Sequence, residues 1–113
     1  VKWTVEELGF KALKLQPYAF CASPLAPQSK KVFETAAKLN IPVIIHTGNG
    51  VPCALPSLAI PVAKAYPELS IVLAHSGAGM YGAEALIPIL RWKLLGQPSW
   101  TSSRSFVSWA LSA

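Results

Sequence analysis

Pro42-Val43-Ile44-Ile45-His46-Thr47-Gly48 and Ile71-Val72-Leu73-Ala74-His75-Ser76-Gly77 decide the fold. Each is a short apolar run that ends in a histidine and passes into a glycine-containing loop. Val43-Ile44-Ile45 and Ile71-Val72-Leu73-Ala74 show no polar alternation, as expected of parallel strands covered on both faces. Between them lie a Gly-rich loop at residues 47–50, a helical stretch at residues 57–66 and a Pro67-Glu68 turn. Pro61 must either begin the regular helix or kink it, because it lacks an N–H and its ring clashes with the preceding turn.

The same unit is legible upstream. Thr4-Val5-Glu6-Glu7 has the form of a capping box opening a short helix, which Gly9 can close. Residues 10–15 follow as a strand. Pro24 and Pro27 stand near the start of a helix running to about Leu39, with Val32, Phe33, Ala36, Ala37 and Leu39 as its apolar stripe and Asn40 as its cap. Strand, helix, strand, helix, strand implies right-handed crossovers and a parallel α/β sheet.

Spacing sharpens this reading. Gln16, His46 and His75 fall at the C-terminal ends of the three strands, 30 and then 29 residues apart. A strand-helix unit takes about 30 residues, so the three should stand at the same height on neighbouring strands. Alternation groups Ala12, Lys14 and Gln16 on one face, with Ile44 and His46 and with Ile71, Leu73 and His75. Leu13 and Leu15 point toward the helices. In a parallel barrel or an open sheet alike, ligands are met at these strand ends.

Composition bounds the function. The chain has 113 residues, 52% of them hydrophobic and 13% charged, which fits one folded domain and no disordered segment. Prolines interrupt every apolar run before the roughly 18 residues of a membrane span. Val1 to Glu7 carries acids where a signal peptide would be apolar, so a cytoplasmic protein is expected. Cys21 and Cys53 have no CxxC spacing and are expected as half-buried free thiols. The net charge is +5, yet the basic residues are scattered and no nucleic-acid motif accompanies them. All five acids are Glu. The expectation is that the acids belonging to this fold lie on sequence outside the chain, and that neither nucleic acid nor membrane is a partner.

Neutral imidazole is the commonest zinc ligand, and a catalytic zinc takes about three protein ligands and an open position for water. His46 and His75 can supply two ligands, or one ligand and one acid/base group. Either could instead be a buried histidine that only makes hydrogen bonds. Two at matched strand ends, each before a glycine loop, favour a site. Lys14 and Gln16 should point toward the same rim, where Lys14 could meet an anionic substrate group. A structural lysine with its partner on another strand is the simpler reading. Gly48-Asn49-Gly50 and Gly77-Ala78-Gly79 suggest close backbone approach to a ligand, or tight turns, and match neither dinucleotide nor Walker patterns.

Gly9-Phe10-Lys11-Ala12-Leu13-Lys14-Leu15-Gln16-Pro17, Pro42-Val43-Ile44-Ile45-His46-Thr47-Gly48 and Ile71-Val72-Leu73-Ala74-His75-Ser76-Gly77-Ala78-Gly79 come in this order and at these distances. Together they resemble the amidohydrolase-related metal-dependent hydrolases and decarboxylases of the amidohydrolase 2 type, over residues 5–86. The resemblance implies a distorted (β/α)8 TIM-type barrel of which this chain is a single partial domain, about strands 4 to 7. It implies a divalent metal, zinc, with His46 as a ligand and His75 as a second ligand or the catalytic histidine. Their place at the rim, not the resemblance, makes Lys14 and Gln16 the candidate substrate-binding residues, for a small carbonyl or carboxylate substrate.

Two departures follow. The family's His-x-His pair and its late Asp have no counterpart here, since the chain has two histidines and no Asp. Residues 88–97 diverge where a seventh strand is expected, and resemblance resumes weakly over residues 98–113. A truncated reading frame with a local sequence error would account for both. The chain is therefore expected to be inactive by itself, with the divalent metal a feature of the intact protein, and to self-associate through the open edges of an incomplete barrel. A phosphate- or nucleotide-binding α/β module and a non-catalytic remnant are the competing readings.

Overall fold

The computed structural model describes residues 1–48 and 50–78. The expected divergence at residues 88–97 and the weak resemblance beyond them fall outside the described residues. Among the described residues three strands form one parallel sheet in sequence order: β1 (Leu13–Leu15), β2 (Val43–His46) and β3 (Ile71–Ala74). Lys14 stands beside Ile44, and Ile44 beside Val72. Four α-helices accompany them among the described residues, α1 (Lys2–Glu6), α2 (Pro17–Phe20), α3 (Pro27–Lys38) and α4 (Ala59–Ala65), with three 3-10 turns at Pro52–Ala54, Pro56–Leu58 and His75–Gly77, the last continuing β3.

The core lies on one face of this sheet. Val43, Ile45, Ile71 and Leu73 are buried there together with Phe33 and Ala36 of α3 and Ala59 and Val62 of α4. Burying a side chain the size of Phe33 or Leu73 contributes about 2 kcal/mol each, so this layer is what fixes the strand register. Ile44 and Val72, which alternate to the other face, are only half-buried. The expectation of strands covered equally on both faces therefore holds for the helix side alone among the described residues.

Turn chemistry explains the element ends. Asn40 adopts a φ of +51°, its N–H reaches Ala37 O and the N–H of Ile41 reaches Ala36 O. These are the two bonds of a Schellman motif, which stops α3 and delivers Ile41 into the core. Gly9, at φ +68°, lets Phe10 N–H return to Thr4 O and closes α1 as expected. The capping box is a correction. Thr4 sits inside α1, not before it, and its hydroxyl donates to Val1 O at 2.7 Å. Pro61 begins the regular helix: it falls in the first turn of α4, where an absent N–H removes no hydrogen bond. Helix α2 was not foreseen. With Pro17 at its first position and Cys21 at φ +47° just past its end, it is too short to show a period. Both cysteines are free, Cys53 half-buried and Cys21 exposed, where two half-buried thiols were expected.

Tyr66 follows α4 and packs on Phe33 with ring centroids 6.3 Å apart. Burial, and then the negative charges of Glu34 and Glu68, raise its phenol above the ordinary tyrosine value. Folding thus favours the protonated phenol. That contribution is complete below the unfolded value, near pH 10, and is lost as pH rises through the folded one. Urea midpoints should fall above pH 10, and less steeply in Tyr66→Phe. Parallel curves for the two proteins would contradict this.

Candidate metal and substrate site at the strand ends

His46 is the last residue of β2, on the face that also carries Ile44 and Lys14. Its side chain is buried, with a residue exposure of 6%. His75 directly follows β3, and its exposed ring lies with its centroid 4.8 Å from that of His46, the two planes inclined at 60°. The two histidines thus stand at the same ends of adjacent parallel strands, as the spacing predicts.

The route by which they meet corrects the expected alternation. In register, His46 pairs with Ala74, and Ile71 and Leu73 share the helix-covered face with Val43 and Ile45. Simple alternation would send His75 to that face as well. Instead His75 takes a φ of +66°, which takes it out of the strand's alternation and lets its ring approach His46. The 3-10 turn His75–Gly77 follows, closed by Ala78 N–H on His75 O at 2.7 Å.

Thr47 joins the two strand ends. It is 1% exposed, and its hydroxyl donates to Ala74 O at 2.8 Å while accepting the N–H of Gly77 at 2.9 Å. Its own N–H also reaches Ala74 O, at 3.2 Å. Gly48, at φ +111°, lies so close to Gly77 and Ala78 that a side chain would collide with both. On the other side, Tyr18 of α2 places its ring 6.0 Å from His46, tilted by 34°. Cys53 Sγ donates to Pro17 O at 3.5 Å, tying the Pro52–Ala54 turn to the same helix.

The surroundings of His46 favour the neutral form of its ring. Burial lowers its pKa first, and the positive charges of His75 and Lys14 lower it further. Lys14 keeps solvent contact, yet partial burial lowers its own pKa. A neutral imidazole offers a lone pair to a cation or a proton. Neither Nδ1 nor Nε2 of His46 has a hydrogen-bond partner among the described residues. Leaving a buried polar atom unpaired costs about 1–3 kcal/mol, and such orphans are rare unless something else satisfies them. The donor chemistry therefore fits a divalent metal at His46. It does not complete a site, because among the described residues no group of three or more His, Cys, Asp or Glu side chains is placed to hold one ion.

The structure brings together His46 and His75 and sets the charge of Lys14 close enough to act on His46. Gln16 is set apart. It caps α2 and lines a shallow pocket with Leu15, Pro17, Phe20 and Pro24, in which neither histidine takes part. Tyr18 and Thr47 were not foreseen. The available signal for Thr47 was a hydroxyl directly after a strand-ending histidine and directly before a glycine. Tyr18 gave none beyond its position just past a strand end.

A parallel α/β sheet with paired imidazoles at the C-terminal ends of neighbouring strands belongs to the broad class whose ligands are met at strand ends. Within it the chain is a member of the amidohydrolase family, whose family model matches residues 3–94. No curated protein and no solved structure gives a match to the chain.

Proposed function

We propose that His46 and His75 form part of the metal site of a metal-dependent hydrolase or decarboxylase built on a (β/α)8 barrel. Supporting this is a single observation: a buried imidazole with neither nitrogen paired among the described residues, set 4.8 Å from a second imidazole at the next strand end. His46 would be a ligand for zinc. His75 would be a second ligand or the proton-transferring histidine, its exposed ring being open to substrate. Zinc held there would supply Lewis-acid polarisation of a substrate carbonyl and activation of water near neutral pH. Lys14, on the same face, would attract a carboxylate of a small substrate, whereas Gln16, set apart at the start of α2, keeps no part in this reading. The ring of Tyr18 would wall the site and exclude water from His46.

The chain has no third histidine and no Asp, so the remaining ligands would come from outside it and the chain alone would be inactive. Its half-buried sheet face, carrying Ile44 and Val72, would favour self-association. No helix among the described residues is long and apolar enough to cross a membrane.

Titration of zinc chloride into chelator-treated protein, followed by histidine ring NMR, tests the reading. The His46 and His75 resonances should move together, and inorganic phosphate should leave both unchanged. If phosphate perturbs the residues around Gly48 and Gly77 while zinc leaves the rings alone, the chain is a phosphate-binding module instead.

A further inference from the structure

We infer that Thr47 is a positioning residue that holds His75 against His46. A non-glycine residue at φ +66° occupies a region that L side chains avoid, so His75 keeps this conformation only if its neighbours impose it. The hydroxyl of Thr47 grips the chain on both sides of His75. It donates to the carbonyl of the preceding residue, Ala74, at 2.8 Å, and accepts the N–H of Gly77, two residues after, at 2.9 Å. Both bonds are buried, where water cannot substitute for either partner. Thr47 also follows His46 directly. One peptide unit and one hydroxyl therefore span the distance from the backbone of the first histidine to the turn that carries the second.

The task requires a group that donates and accepts at once from a short side chain, which only threonine and serine provide. Valine has the shape of threonine and neither function. This assignment gives Thr47 a consequence for metal binding only through the proposed role of the histidines, but its geometric part is independent of that role.

The test uses the full chain with Thr47→Val and Thr47→Ser. The nuclear Overhauser effect between the His46 and His75 rings should be strong in the parent and in Thr47→Ser, and lost in Thr47→Val. Zinc affinity by calorimetry should fall about 10-fold or more in Thr47→Val, as when a group that orients a ligand is removed, and stay within about 3-fold in Thr47→Ser. A folded Thr47→Val that keeps the ring-to-ring signal overturns the proposal, and so does a Thr47→Ser that loses it. Should Thr47→Val fail to fold, hydrogen exchange at the Gly77 amide of the parent decides. Protection comparable to the strand amides supports the clamp, and free exchange overturns it. If the parent shows the ring-to-ring signal but binds no zinc, the metal reading fails while the positioning role stands.

Discussion

Replacing His46 by leucine is expected to abolish zinc binding while leaving the metal-free protein as stable as the parent, or more so. The two effects have opposite signs because they act on different states. In the metal-free chain the ring is buried with neither nitrogen hydrogen-bonded among the described residues, a destabilising arrangement worth about 1–3 kcal/mol. Leucine fills a similar volume without an unpaired polar atom, so removing the ring relieves that cost. On the proposed role of His46 and His75 as ligands, the loss of one of the two imidazoles should lower zinc affinity by about 100-fold or more. Urea unfolding of chelator-treated protein measures the first effect and calorimetry the second. A residue kept at a cost to stability is one retained for what it binds. If the metal-free leucine variant instead loses about 2 kcal/mol or more, the ring has a structural partner and the ligand role loses its main support.

How much of this was legible from the residues follows from what each feature depends on. Val43-Ile44-Ile45 and Ile71-Val72-Leu73-Ala74 announce themselves because continuous apolar runs mark parallel strands, here fully buried on the helix side and half-buried at Ile44 and Val72 on the other, and strand order follows from the 30-residue rhythm. The helix that Asn40 ends is legible for the same local reason. The face of β3 was not. Alternation assigns a face only while the chain stays extended, and it cannot anticipate that His75 leaves the β region. That departure depends on Thr47, whose partners lie 27 and 30 residues away in sequence. No window along the chain contains both ends of such a contact. Tyr18 was hidden for a different reason: α2 has four residues, fewer than any helical period needs. The strand-end histidines were thus readable as a pair, and the residues that hold and wall them were not.

Gly48→Ala is expected to cost about 2–5 kcal/mol, the sum of backbone strain and overpacking. An ideal Cβ at this position would lie 2.5 Å from Ala78 Cβ and 2.7 Å from the carbonyl carbon and oxygen of Gly77. Two of these three contacts are backbone, so no rotamer change can relieve them. The φ of +111° adds strain, since it lies beyond even the left-handed helical region that other residues visit. Gly9→Ala supplies the control. Gly9 also has a positive φ, +68°, but nothing lies within 4 Å of its Cβ position, so only the backbone cost of about 1 kcal/mol applies. The difference between the two variants reports the contact between the loops that follow β2 and β3 together with the extra backbone strain at the larger φ of Gly48. Because Gly77 must move to admit the new methyl, Gly48→Ala should also weaken the ring-to-ring signal between His46 and His75, which Gly9→Ala leaves intact. Urea midpoints and the same NMR measurement provide the check. Equal destabilisation by the two substitutions would mean that the loops are not packed against each other, and the close pairing of the two imidazoles would then lack its mechanical basis.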